Sequence, residues 1–105
     1  MAVGDVITAI VSVPAGATAT YQPAAGVEVM ITEAGTCEEI TIRIGLTDGT
    51  NSTYIAFAML NCSYDSTYGE RIGERKIFIN DSVYLMIENS DTVDHIVMYC
   101  GIQTK

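Results

Sequence analysis

The chain has 105 residues, 49% of them apolar and 17% charged, with 13 acidic against 5 basic side chains and a formal net charge of −8. That length matches one domain, and the apolar share supports a single two-layer core and excludes an intrinsically disordered chain. So few cations, none of them before Arg43, argue against direct contact with DNA, RNA or an anionic membrane, each of which calls for Lys and Arg against phosphate.

The first segment with strand character runs from Asp5 to Val13. Ile7, Ala9, Val11 and Val13 share one face by period-two alternation, while Val6 and Ile10 put apolar groups on the other, so both faces are expected to be partly covered. The same stretch lacks a basic leader and carries Asp5, and it reads as part of the fold and not as a signal peptide. Pro14-Ala15-Gly16 ends it. Ala17 to Gln22 is a weaker strand that alternates Thr18 and Thr20 with Ala19 and Tyr21. The break that follows, Pro23 to Gly26, combines a residue without a backbone N–H and one that tolerates left-handed angles. From Gly26 to Thr32 the chain alternates again, with Val27, Val29 and Ile31 facing one way and Glu28, Met30 and Thr32 the other. Glu33 to Thr36 reads as a turn.

Glu38 to Thr47 is the cleanest strand, with Ile40, Ile42, Ile44 and Leu46 inward and Thr41 and Arg43 outward. Asp48-Gly49 signals a hairpin, and Ser52 to Leu60 is the returning strand, although Ala56 to Leu60 would also suit a helix. Asn61 to Lys76 is the longest irregular stretch. Lys76 to Ile79 is a short strand, Asn80-Asp81 a turn, and Ser82 to Glu88 a strand with Val83, Leu85 and Ile87 on one face. Asn89 to Thr92 turns the chain into a last strand, Asp94 to Gln103, where Ile96, Met98, Cys100 and Ile102 oppose Val97 and Tyr99. About eight short strands with turns every 8–12 residues predict an all-β fold. The expectation is one antiparallel β-sandwich domain over residues 1–105, wound as a jelly roll or in the immunoglobulin manner. No apolar run approaches the length of a membrane-spanning helix.

The residues that could carry chemistry are sparse. His95 is the only histidine, and a lone histidine in an alternating strand reads as structural or exposed and not as catalytic. Cys37, Cys62 and Cys100 are widely spaced, with no Cys-x-x-Cys unit, and read as reduced, packed side chains, one disulfide plus a free thiol being the alternative. Glu38-Glu39 are neighbours on a strand and point to opposite faces, so they cannot share a cleft. Asp91 and Asp94 bracket a turn, where aspartate serves local hydrogen bonding. Three Asn-x-Ser/Thr triplets begin at Asn51, Asn61 and Asn80 and read as polar turn residues. No phosphate loop, zinc spacing, dense calcium loop or nucleophile elbow is present. These readings predict no enzyme, no cofactor and no metal.

The 61–76 stretch is different. Tyr64, Tyr68, Arg71, Arg75 and Lys76 gather most of the chain's cations beside two aromatics, and Tyr and Arg are the residues that protein interfaces favour. They are the expected protein-contact residues.

The Pro14-Ala15-Gly16 turn, the run from Tyr21 to Glu28, the strand from Ser82 to Asn89 and the closing Tyr99-Cys100-Gly101-Ile102-Gln103 resemble small β-sandwich or jelly-roll proteins of tailed bacteriophages that decorate capsids as cement proteins. The resemblance implies a structural virion protein on the outer capsid surface, with the major capsid protein as its partner, self-association as a homotrimer, and synthesis in the host cytoplasm. The three cysteines and the length of the 61–76 loop depart from that pattern. The alternative in the binding class is a carbohydrate- or receptor-binding sandwich of a phage tail or head fibre, using tyrosines as stacking platforms. A jelly-roll lyase or isomerase would need clustered histidines, and one histidine argues against it.

Overall fold

The computed structural model describes residues 2–36, 42–54, 60–61, 68–69, 71–72 and 76–105. Within them the protein is all-β: β1 (Val6–Val13), β2 (Thr18–Tyr21), β3 (Val29–Gly35), β4 (Ile42–Thr47), β5 (Ser52–Tyr54), β6 (Leu60–Asn61), β7 (Tyr68–Gly69), β8 (Arg71–Ile72), β9 (Ile77–Ile79), β10 (Tyr84–Asn89) and β11 (His95–Gln103). The first sheet runs β1-β11-β3, with β8 and β9 both pairing β3, and the second runs β2-β10-β4-β5. Every pairing is antiparallel, and β6 and β7 form a separate two-stranded ribbon.

The chain changes sheet at each of the steps β1–β2, β2–β3 and β3–β4, and again at β9–β10 and β10–β11. The opening strand therefore lies beside the closing one, and β2 lies beside β10. This winding is that of a jelly roll, and of the two windings expected for the sandwich it is the one the strand order fits.

The core is built from the inner faces of both sheets. Val13, Val29, Ile31, Ala34, Ile79 and Val97 come from the first, and Ile42, Ile44, Leu85 and Ile87 from the second, all buried. β-branched residues dominate, and their stiff side chains fit a pleated surface packed on one side. Tyr21 on β2 and Tyr99 on β11 stack across the gap, ring centroids 5.0 Å apart and 15° from parallel. Burial raises both hydroxyl pKa values above the usual tyrosine range.

One buried polar side chain ties the sheets together. Asn89, fully buried at the end of β10, donates from Nδ2 to the carbonyls of Val13 and Val93, 2.9 Å each, and its Oδ1 accepts the Asp91 N–H at 2.9 Å. Its own N–H donates to the Ala17 carbonyl. The turn joining β1 to β2 is thus fastened to the turn joining β10 to β11.

Several expectations are corrected. Glu33 to Gly35 continue β3 instead of turning. A bulge makes this possible: Cys100 pairs Glu33 and Gly101 pairs Ile31, so Thr32 is the extra residue. Past it the inward set shifts from Val29 and Ile31 to Ala34, which breaks the period-two pattern. β3 begins at Val29 and not Gly26, because Gly26, at φ 80°, is in the turn. Asn89 belongs to β10 and not to the following turn. Val83 lies outside β10 and is exposed. The 61–76 stretch contains β7 and β8 and so is not wholly irregular. The partly covered outer face expected for β1 is also wrong, since Val6 and Ile10 are 73% and 78% exposed. Ile40, Thr41 and the 55–59 part of the Ser52–Leu60 strand lie outside the described residues.

The remaining assignments hold. Ile7, Ala9, Val11 and Val13 face inward on β1, as do Ala19 and Tyr21 on β2 and Ile42, Ile44 and Leu46 on β4, with Arg43 outward. On β11 it is Val97 and Tyr99 that turn to the core.

Candidate functional site

The residues singled out for chemistry are engaged in holding turns. His95 is buried at the start of β11, with Nε2 2.8 Å from Asp91 Oδ2. That contact, with the Thr92 N–H, holds the Asp91 carboxyl below the usual carboxylate range. Asp94 is not directed at the same place: its Oδ1 accepts the Ala15 N–H at 2.9 Å. Asp48 accepts the N–H groups of Asn51 and Thr50, which lower its pKa as well. Asn80 accepts from the N–H groups of Ser82 and Val83, the turn role expected of it.

Cys100 is a free thiol on the outer face of β11, whereas His95 points into the sandwich, so the two cannot act as a pair. Cys37, Cys62 and Glu38-Glu39 lie outside the described residues. Among the described residues no group of three His, Cys, Asp or Glu could hold a metal ion.

Of the expected contact residues, Lys76 is exposed immediately before β9. Arg71 is on β8 opposite Gly35, and Tyr68 is on β7 opposite Asn61. Since β8 and β9 both pair β3, the backbone brings Arg71 and Lys76 to one edge of the first sheet, while Tyr68 belongs to the separate ribbon. Tyr64 and Arg75 lie outside the described residues.

The structure displays a surface that the sequence reading did not assign. On the outer face of the first sheet, Val6 pairs Ile102, Ile102 pairs Met30 and Met30 pairs Phe78, an unbroken apolar row across four strands. Ile10 pairs Met98 in a second row, and Ile96 lies beyond it opposite Ser12. Phe78 and Ile96 are more than half exposed, in addition to Val6 and Ile10. Among the described residues of β1, β3, β9 and β11, the only charged side chain on this face is Glu33, which is itself engaged. The signal was in the sequence: β1 and β11 carry apolar residues at both parities, more than one buried face requires.

The outer face of the second sheet is mostly polar, with Met86 buried on it between Thr20 and Gly45. Thr18 and Thr20 on β2, Glu88 on β10, Arg43 on β4 and Tyr54 on β5 point outward. Tyr54 donates to Glu88 Oε2 at 2.7 Å and lies under the Arg43 guanidinium, 5.3 Å from its ring centroid. The hydrogen bond to Glu88 raises the Tyr54 pKa. An open depression nearby, beside the β4–β5 hairpin, has Asp48 as its one ionisable group.

In comparisons with known proteins, no family model, curated protein or solved structure matches the chain.

Proposed function

We propose that this protein is a non-enzymatic structural component of a virion, a capsid decoration protein that binds the outer surface of a shell built by the major capsid protein. The observation that carries the reading is the apolar outer face of the first sheet. Contiguous exposed apolar surface on a small acidic domain marks a place where another protein belongs. The jelly-roll winding agrees with the resemblance in the turn and closing segments, although a fold by itself does not fix a function. A net charge of −8 suits an exterior position, away from packaged nucleic acid.

In this reading Tyr64, Tyr68, Arg71, Arg75 and Lys76 form the contact with the shell, where the chain's scarce cations meet acidic groups of the capsid. Glycan binding by the second sheet has less support, because the Tyr54 hydroxyl is held by Glu88 and one ring face is covered by Arg43. The test is co-sedimentation of the purified protein with shells assembled from the major capsid protein of the same genome. Saturable binding that raises the shell's melting temperature supports the proposal, and no binding contradicts it.

A further inference from the structure

We propose that the outer face of the first sheet pairs with the same face of a second copy of this chain, about a two-fold axis lying in the plane of the interface, parallel to the sheet. The inference goes beyond the capsid reading and does not depend on it: there the 61–76 residues meet the shell, and the apolar face is left to a second copy.

Three observations favour a second copy. The first is shape and size. With strands about 4.8 Å apart and about 3.4 Å per residue along each, the row from Val6 to Phe78 spans about 15 Å and the stretch from Val6 to Ser12 about 20 Å. Val6, Ile10, Phe78, Ile96 and Ile102 are exposed by 73, 78, 55, 54 and 37%. Together they present on the order of 400 Å² of apolar surface, at the scale of the largest patch on an ordinary monomer. Half-buried Met30 and Met98 complete the two apolar rows, Thr8, Cys100 and Glu33 lie in a row between them, and together they can form the centre of an interface burying about 800 Å² per partner.

The second is self-complementarity. A straight apolar row maps onto itself under a two-fold rotation, and two sheet faces pack with their strands about 30° apart. A three-fold arrangement would instead place this face against a different surface of its neighbour. The face therefore argues for a pair in place of the trimer that the resemblance implies.

The third is charge. Two copies at −8 each repel, and they can approach closely only through a surface poor in carboxylates. Among the described residues of β1, β3, β9 and β11 this face has Glu33 as its one carboxylate, while Asp5, Glu28, Asp48, Asp81, Asp91 and Asp94 lie at strand ends and turns. An apolar contact between like-charged bodies tightens as salt screens the repulsion, whereas docking on a basic partner loosens.

Sedimentation equilibrium of the full chain across a range of concentration and salt is the test. The expected result is a monomer–dimer equilibrium that tightens with salt. Ile10→Glu is expected to weaken it about a hundredfold or more, because a charge would be buried against the partner's apolar face. Thr20→Glu, on the outer face of the second sheet, is expected to leave it within about threefold. Circular dichroism identifies any variant that does not fold, and the wild-type salt dependence stands without the variants. A monomer at all concentrations, a trimer, a pair that loosens with salt, or a folded Ile10→Glu protein that still pairs normally would overturn the proposal.

Discussion

The two outer faces are built by the same alternation and differ in what they show to the outside. Behind each lies a row of Ile, Val and Leu packed into one core. In front, the second sheet carries Thr18, Thr20, Arg43, Glu88 and Tyr54, which hydrogen-bond or pair among themselves or meet water. The first carries Val6, Ile10, Ile96, Ile102 and Phe78, large apolar side chains left exposed. The fold needs only the inner rows, so the difference between the outer ones concerns what lies beyond the molecule. Four perturbations break or sharpen that contrast.

The largest effects should be alike in both sheets, because in each a neighbouring backbone leaves no room for a Cβ. Gly101 in the first sheet and Gly45 in the second sit where a neighbouring backbone closes in. A Cβ on Gly101 would collide with the Met30 carbonyl, and one on Gly45 with the Thr53 carbonyl. Gly101→Ala and Gly45→Ala should each cost about 3 kcal/mol or more in urea denaturation, since backbone and not a flexible side chain must yield.

Next comes the tie between the sheets. Asn89→Ala strips the buried Val13 carbonyl and the part-buried Val93 carbonyl of this donor and should cost about 2–4 kcal/mol. Coincident urea transitions by circular dichroism and by tyrosine fluorescence would show that the two sheets unfold together.

Replacing outer apolar residues should separate stability from association. Ile10→Thr and Ile96→Thr should shift the stability of the dilute protein by less than about 1 kcal/mol, since both side chains are already in water. A large loss in dilute solution would mean that this face is covered from within the chain. On the opposite face, Arg43→Ala should move the melting temperature least of all the substitutions.

The smallest effect is that of acid. The folded protein holds the Asp91 and Asp48 carboxyls below their ordinary values, by the His95 contact and by turn N–H groups respectively. A group whose pKa is depressed by folding stabilises the fold above its unfolded pKa, about 3.9, and that contribution fades as pH falls below it. The urea midpoint should therefore decline below about pH 4, and Asp91→Asn should blunt the decline. A midpoint that does not move between about pH 5 and 2 would show that these contacts add nothing.

Much of the sandwich was legible because buried strands write their period into the chain. Ile42, Ile44 and Leu46, or Val97 and Tyr99, could hardly lie on any other face. What escaped did so for local reasons. The bulge at Thr32 resets the alternation in mid-strand, so Glu33 to Gly35 looked like a turn. Asn89 resembled a turn residue because its composition does, but its amide finds three partners in the interior. Val6 and Ile10 were visible as apolar, yet period alone does not distinguish a face covered by the chain's own residues from one left to another molecule. The proposed loop contacts rested on residue type, and residue type places Arg71 and Lys76 on no particular edge until β8 and β9 pair with β3.

The contrast between the faces can be read residue by residue. Methyl NMR spectra of the wild-type chain, recorded from dilute to concentrated solution, report each side chain's surroundings separately. Concentration-dependent shifts are expected at Ile10, Ile96 and Ile102, with steady signals from Thr18 and Thr20 and no change in the buried Ile42 and Ile44. Spectra that do not change with concentration, or shifts confined to the threonine face, would contradict this expectation.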